Sequence, residues 1–453
     1  MRSHIRCLVL ILGAVLLPAG FRIQAADSTT VTNAPLRRTD AHGNPVRRAI
    51  TGHISNYDES RVGHYTLPDP LVLADGRSVR DAKTWFNVRR PELLKLYDDD
   101  IYGRVPANAP KATFKVAEID TNALGGLAVH KLVLIKFGDK PDGPVLQLNE
   151  YLPAKATWPV PMLLQIVFFS NPPIPDPAVP SPSQTRRFRF PFSEAGPMTN
   201  IIERGYGYAT FRYTEVQSDS RDSFQSGVIG LTLKPGQTKP APDEWGAISA
   251  WAWGASRALD YLESDPDVDA KRVALIGHSR LGKTVLWAGA QDPRFALIFS
   301  SCAGEMGSSL ARRDYGETID DIAVNFPWQF AGNFQKYIGH WNEMPVDTHE
   351  LIALNAPHPV FITGGTGDQW SDPRGEFLAE VAAGPVYRLL GLKGLGPTNF
   401  PPVDTPVITG DLGWNYHTGP HAILPSDWKA FLDFADKYLK PKPVGALGSN
   451  LAQ

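Results

Sequence analysis

The stretch that decides the fold is residues 272–283, RVALIGHSRLGK. Its first five residues are an apolar run that predicts a strand, and residues 281–290 have the spacing of a helix. Ser279 lies in the short turn between them. Such a turn lifts a serine above the end of a sheet, where the N-terminus of the helix favours negative charge. Ser279 is therefore the candidate nucleophile, and the alternative is a serine that only caps the helix.

Strand-like apolar runs alternate with helical segments around this turn. Strands are predicted at residues 162–169, 207–211, 272–276, 295–299 and 360–363. Helices are predicted at residues 245–263, 281–290 and 427–439, and a proline-rich loop at residues 172–191. This alternation is typical of a mostly parallel sheet with helices on both faces. The sequence contains no internal repeat and no second apolar core, so we predict a single α/β domain.

The composition excludes several classes of protein. The chain has 453 residues, of which 43% are hydrophobic and 20% charged, as in ordinary globular proteins. Its 45 Lys and Arg residues are balanced by 47 Asp and Glu residues. Because this balance creates no strong positive field, we expect no nucleic-acid partner.

The N-terminus has the pattern of a secretory signal peptide, which we place at residues 1–26. Arg2 and Arg6 give a basic start, residues 8–17 are apolar, and residues 24–26 form a small-residue cleavage region. The apolar run is short for a membrane span. We therefore expect a secreted or periplasmic protein that has no membrane attachment after cleavage.

The remaining chain divides into an arm and a catalytic domain. Residues 27–84 are polar and rich in turns, which predicts an N-terminal arm over the main body, and residues 85–445 form the predicted domain. Signal cleavage would remove Cys7 and leave Cys302, so no intramolecular disulfide is expected. We expect a monomer.

A serine nucleophile needs a base and an acid that orients the base. In α/β-hydrolases these residues follow in the order Ser, acid, His. The candidate bases are His417 and His421, in a glycine-rich stretch at residues 413–421 that we predict to be a loop. The candidate acid Asp368 follows a predicted strand, so it lies at the C-terminal edge of the sheet, where open α/β sheets carry their active sites. Asp372 is its local competitor, although the proline that follows suits Asp372 to cap a helix.

These motifs resemble those of the glucuronoyl esterases, carbohydrate esterase family 15, and in particular its bacterial members. Residues 277–283, GHSRLGK, fit the family pattern Gly-x-Ser-Arg-x-Gly-Lys. Residues 245–254 (WGAISAWAWG), 312–318 (RRDYGET) and 368–373 (DQWSDP) are also similar to family segments. The resemblance extends over roughly residues 85–440 and implies the α/β-hydrolase fold.

The resemblance also implies a role for each site residue. Ser279 would attack the ester carbonyl to form an acyl-enzyme, with His421 as the base and Arg280 stabilising the oxyanion. The residues that would contact the sugar are Lys283, Glu317 and Trp370. Without the resemblance, we would interpret Arg280 and Lys283 as members of surface ion pairs and Trp370 as a core residue.

For the acid, the resemblance offers two positions. Family members carry it either where Asp368 stands or in the loop after the strand that neighbours the nucleophile's strand. In that loop Cys302 occupies the place of the family's glutamate, and Glu305 lies three residues further on. We take Asp368 as the acid and Glu305 as the alternative.

The implied activity is hydrolysis of esters of (4-O-methyl-)glucuronic acid, as in lignin–xylan cross-links. The partner would be glucuronoxylan or a lignin–carbohydrate ester. The alternatives are a broader carbohydrate esterase, such as an acetyl-xylan esterase, and a non-catalytic carbohydrate-binding protein. Arg280 and Lys283 favour a site that recognises a uronate. The sequence has no nucleotide-binding or zinc-protease motif, so we expect no cofactor and no metal.

Overall fold

The structure is a computed structural model that describes residues 38–169 and 195–443. The predicted signal peptide at residues 1–26, the start of the arm and the proline-rich loop at residues 172–191 lie outside these ranges. Within the described ranges, no helix has the length and apolar character needed to cross a bilayer.

The elements are numbered in chain order. The strands are β1 Arg38–Thr39, β2 Pro45–Val46, β3 Ala112–Asn122, β4 Ala128–Phe137, β5 Val145–Pro153, β6 Val160–Val167, β7 Gly207–Arg212, β8 Val268–His278, β9 Phe295–Ser301, β10 Val360–Gly365 and β11 Leu412–His417. The α-helices are α1 Ala82–Thr84, α2 Arg90–Asp100, α3 Ala123–Gly126, α4 Met198–Glu203, α5 Gly227–Gly230, α6 Ala247–Leu262, α7 Arg280–Gln291, α8 Ile319–Asn325, α9 Thr348–Leu354, α10 Pro373–Leu389 and α11 Pro425–Leu439. A π-helical turn, Trp85–Arg89, precedes α2, and 3-10 turns lie at Glu59–Arg61, Tyr213–Glu215, Pro327–Gln329, Gly332–Tyr337, Trp341–Glu343 and Gln369–Ser371.

Strands β3 to β11 form one sheet in the order β11-β10-β9-β8-β6-β7-β5-β4-β3. The pairs from β7 through β6, β8, β9 and β10 to β11 are parallel, whereas β3, β4 and β5 join as an antiparallel extension. Because β8, β9, β10 and β11 run in the same direction, the loops after them meet at one edge of the sheet.

Successive residues of the central strands face opposite layers of helices, since side chains alternate along a strand. Leu275 of β8 belongs to the apolar cluster of Trp251 in α6 and Trp287 in α7. Its neighbour Ile276 belongs to the cluster of Phe431 in α11. The sheet is thus covered on both faces, which confirms the predicted α/β-hydrolase architecture.

The predicted strand at residues 162–169 corresponds to β6, which begins two residues earlier and ends at Val167. All eight residues of β6 are buried, as expected for a strand covered on both faces. The prediction of a loop over residues 413–421 is wrong in its first part, where the chain forms β11. Gly413 is not a turn glycine, because a Cβ there would lie 2.8 Å from Phe361 and 2.9 Å from Phe434. Close packing, rather than backbone freedom, is the reason for this glycine.

The described residues belong to one compact unit, in which the described part of the arm lies against the catalytic body. The carbonyl of Asn56 accepts a hydrogen bond from the Gly316 N–H at 2.8 Å. Glu59 pairs with the buried guanidinium of Arg313. Both contacts lie close in sequence to Glu317, so the arm is attached beside the predicted sugar contacts.

Candidate active site

Ser279 stands on a sharp turn between β8 and α7, with φ 57° and ψ −128°. A positive φ is unusual for a residue with a side chain, and such strain clusters at functional sites. The turn is closed by the Ser279 N–H, which donates to the Ser301 carbonyl at 2.8 Å. Gly277 permits it, since a Cβ there would lie 2.2 Å from the Leu281 carbonyl oxygen. The Ser279 side chain makes no capping hydrogen bond to α7, which argues against the role of a simple cap.

The structure brings His421 and Asp368 together. Asp368 follows β10 and His421 follows β11, and His421 Nδ1 lies 2.6 Å from Asp368 Oδ2. The carboxylate side chain is 5% exposed and the imidazole 40%. A carboxylate that accepts from Nδ1–H leaves Nε2 as the nitrogen that can take a proton. This pair has the chemistry of an oriented general base.

The other candidate base, His417, is held in a different pair. Its side chain is fully buried, with Nδ1 3.0 Å from Asp427 Oδ1 and Nε2 3.1 Å from the Pro420 carbonyl oxygen. Burial opposes the charged imidazolium, but the hydrogen bond and the charge of Asp427 outweigh it and raise the pKa of His417. Because both ring nitrogens are used, His417 holds the segment that precedes His421 and is not available as a base.

The loop after β9 contains the alternative acid, Glu305. Among the residues that the structure describes, no hydrogen bond joins Glu305 to His421, which pairs with Asp368. Glu305 is 2% exposed, and burial raises the pKa of its carboxyl well above the usual value. Cys302 lies nearer, since its Sγ is within 4.8 Å of ligand atoms of Asp368 and His421. Thiol, carboxylate and imidazole are zinc ligands, but the short hydrogen bond between His421 Nδ1 and Asp368 Oδ2 is the arrangement that orients a general base.

Arg280 is the first residue of α7, and its guanidinium pairs with Asp219. The same cation lies 5.2 Å from the ring centre of Phe326. Asp219 is not among the residues predicted from the sequence. Because Asp219 follows β7 at the same sheet edge as Asp368, the rule that identified Asp368 could have found it.

The three predicted sugar contacts form one group. Lys283 is 6% exposed and donates to the Ala303 carbonyl. Burial lowers the pKa of Lys283, although the negative charges of Glu317 and Glu305 oppose that shift. The Glu317 N–H donates to the Trp370 carbonyl at 2.8 Å, and burial raises the pKa of the Glu317 carboxyl. The site therefore presents a buried cation, an acid and an indole side by side.

The arm also reaches this group. The guanidinium carbon of Arg47 lies 4.6 Å from the ring centre of Trp370, within the range of a cation–π contact. The arm thus forms part of the rim around the indole.

Comparison with known proteins gives a consistent result. A family model described as glucuronyl esterase, fungi, matches residues 182–391. A carbohydrate esterase from an unknown prokaryotic organism is 40% identical over 85% of this chain and 92% of its own length. A 4-O-methyl-glucuronoyl methylesterase from Phanerochaete chrysosporium is 28% identical over 72% of this chain and 62% of its own length. The solved structure of a glucuronoyl esterase from Solibacter usitatus is 44% identical, covers 84% of this chain and all of its own, and superposes with a TM-score of 0.77.

Proposed function

Since the chain belongs to the glucuronoyl esterases of carbohydrate esterase family 15, we propose that it hydrolyses esters of 4-O-methyl-glucuronic acid by a serine mechanism. The chain is thus a carboxylic ester hydrolase. The observation that carries the mechanism is the 2.6 Å contact between His421 and Asp368, at the sheet edge where Ser279 occupies its strained turn. A protein that only binds carbohydrate would have no use for this arrangement.

In the first half-reaction, Ser279 Oγ attacks the ester carbonyl while His421 Nε2 takes the hydroxyl proton. The Asp368 carboxylate stabilises the imidazolium that forms. The tetrahedral intermediate then collapses, the bond to the alcohol breaks, and His421 returns the proton to the leaving oxygen. In the second half-reaction, water attacks the acyl-enzyme with the same base and releases the uronate and free Ser279.

Negative charge develops on the carbonyl oxygen during both attacks. Arg280 follows the nucleophile directly, so its backbone N–H and its guanidinium are the proposed donors to this oxyanion. Fixed donors in a site shielded from water stabilise such charge strongly, because they need no reorganisation during the reaction.

The uronate ring is proposed to lie against Lys283, Glu317 and Trp370. The ammonium and the carboxyl provide a donor and an acceptor for sugar hydroxyls, and the indole offers an apolar face to the ring. A plain acetyl ester has no hydroxyl groups to use these partners, which favours the uronate ester over the acetyl-xylan alternative.

The natural substrate is proposed to be glucuronoxylan esterified to lignin, and the enzyme is proposed to act as an exported monomer. The signal-like pattern of residues 1–26 supports export.

The test compares hydrolysis of benzyl glucuronate with that of p-nitrophenyl acetate by wild type, Ser279→Ala and Ser264→Ala. Ser264 is an exposed serine that donates to the Tyr261 carbonyl, and serves as the matched control. We expect a preference for the glucuronate ester that is lost with Ser279 and kept with the control. Retained activity in Ser279→Ala would overturn the serine mechanism, and a preference for the acetate would favour the broader esterase.

A further inference from the structure

We infer that Asp219 is a positioning residue for catalysis, which holds the Arg280 guanidinium in place for the oxyanion. This inference rests on the proposed role of Arg280. Asp219 lies in the segment after β7, outside the motifs that identify the site, and its side chain is 6% exposed. Its ion pair with Arg280 is the starting observation.

The Asp219 carboxylate is itself held from several directions. Oδ1 accepts from Trp328 Nε1 at 2.7 Å and from Gln329 Nε2 at 2.8 Å. Oδ2 accepts from Tyr213 Oη at 3.1 Å and from the Arg280 guanidinium. Two donors come from the 3-10 turn Pro327–Gln329 and one from the turn after β7, so the position of the carboxylate does not depend on Arg280.

This fixed carboxylate in turn restricts Arg280. Only Nη1 of the guanidinium is bonded to Asp219, and within the described part of the chain no other hydrogen bond from this side chain is found. The guanidinium carbon lies 5.2 Å from the ring centre of Phe326 and 5.8 Å from that of Phe168. The plane of the cation is thus confined by one ion pair and two rings, and its remaining donors are available for a ligand oxygen.

Fixing Arg280 matters because its side chain is 30% exposed. An arginine at such a surface otherwise samples many rotamers, and ordering its side chain costs conformational entropy. If Asp219 orders the side chain before substrate binds, that cost is absent from the barrier of the chemical step. A structural ion pair would affect stability, whereas a positioning residue affects kcat more than KM.

The experiment is a double-mutant cycle on benzyl glucuronate hydrolysis with Asp219→Ala, Arg280→Ala and both together. We expect each single change to lower kcat by about 100- to 1,000-fold with KM within about threefold, by analogy with loss of one oxyanion donor. The double variant should be no slower than Arg280→Ala, because the carboxylate acts through the guanidinium. Asp219→Asn should retain more activity than Asp219→Ala, since the amide keeps the size and part of the hydrogen bonding.

The control is Asp433→Ala, which removes one of the carboxylates of α11 paired with Arg204, at 3.0 Å. It should leave kcat unchanged. Urea unfolding of each variant reports stability separately. If Asp219→Ala does not fold, Asp219→Asn carries the test, and wild-type kcat in that variant would overturn the inference.

The outcomes separate the two claims. Full activity of Arg280→Ala removes both the role of Arg280 and the positioning role, but leaves the Ser279 mechanism in place. A loss in Arg280→Ala with multiplicative losses in the double variant overturns the positioning role alone. Retained activity in Ser279→Ala overturns the proposed function itself.

Discussion

Replacing Asp368 by asparagine tests how the site prepares its base. The Asp368 carboxylate accepts the Nδ1 proton of His421 at 2.6 Å and is almost fully buried. An asparagine amide has the same size but no charge. It can donate to Nδ1, which places the imidazole proton on Nε2, and in that tautomer His421 can no longer take the proton of Ser279.

The size of the effect follows from this contact. Loss of a hydrogen bond to a charged group costs about 1.5–3 kcal/mol, which corresponds to roughly a 10- to 150-fold loss of rate. The wrong tautomer adds to this cost, and in the serine-protease triad the same substitution lowers kcat by about 10⁴-fold. Because the Asp368 carboxylate is shielded from solvent, we expect a loss of about 10³- to 10⁴-fold for this protein.

The assay is steady-state hydrolysis of benzyl glucuronate by Asp368→Asn beside Glu305→Gln. Burial raises the pKa of Glu305 well above its usual value, which favours the neutral acid over the carboxylate. Its replacement by a neutral amide of the same shape should change kcat by no more than about threefold. Urea unfolding of each variant serves as the control for folding, and we expect both variants to remain folded.

A larger loss of kcat in Glu305→Gln than in Asp368→Asn would refute this reasoning and make Glu305 the acid. Equal small losses would refute both assignments, because no buried acid would then be needed to orient His421.

Two other predictions follow from buried charges. The hydrogen bond to Asp427 raises the pKa of His417 despite burial, so the pair should stabilise the fold fully below about pH 6.5 and lose this contribution as pH rises through the raised pKa. His417→Gln should remove that part of the pH dependence in urea unfolding between pH 5.5 and 9, and an unchanged profile would contradict it. Lys283→Met should raise KM for benzyl glucuronate about tenfold, through loss of a charged hydrogen bond, and leave p-nitrophenyl acetate unaffected. Equal effects on both esters would contradict a role in sugar binding.

Local sequence was sufficient for the nucleophile and for the core of the sheet. The apolar run of β8, the turn at Ser279 and the helix α7 are continuous in the chain, so their pattern predicts them without any knowledge of distant contacts. The buried run of β6 was predictable for the same reason. The family motif then directed attention to Arg280, Lys283 and Trp370.

The pairing of the base with its acid was decided only by the tertiary structure. His421 and Asp368 are 53 positions apart, and the parallel register of β10 against β11 brings their loops together. The same register places His417 at the end of a buried strand, where its hydrogen bond to Asp427 prevents it from acting as the base. Sequence alone left both histidines open because both lie in one short glycine-rich segment. Side-chain direction at the end of a strand depends on register with the neighbouring strand, and that information is not contained in the segment itself.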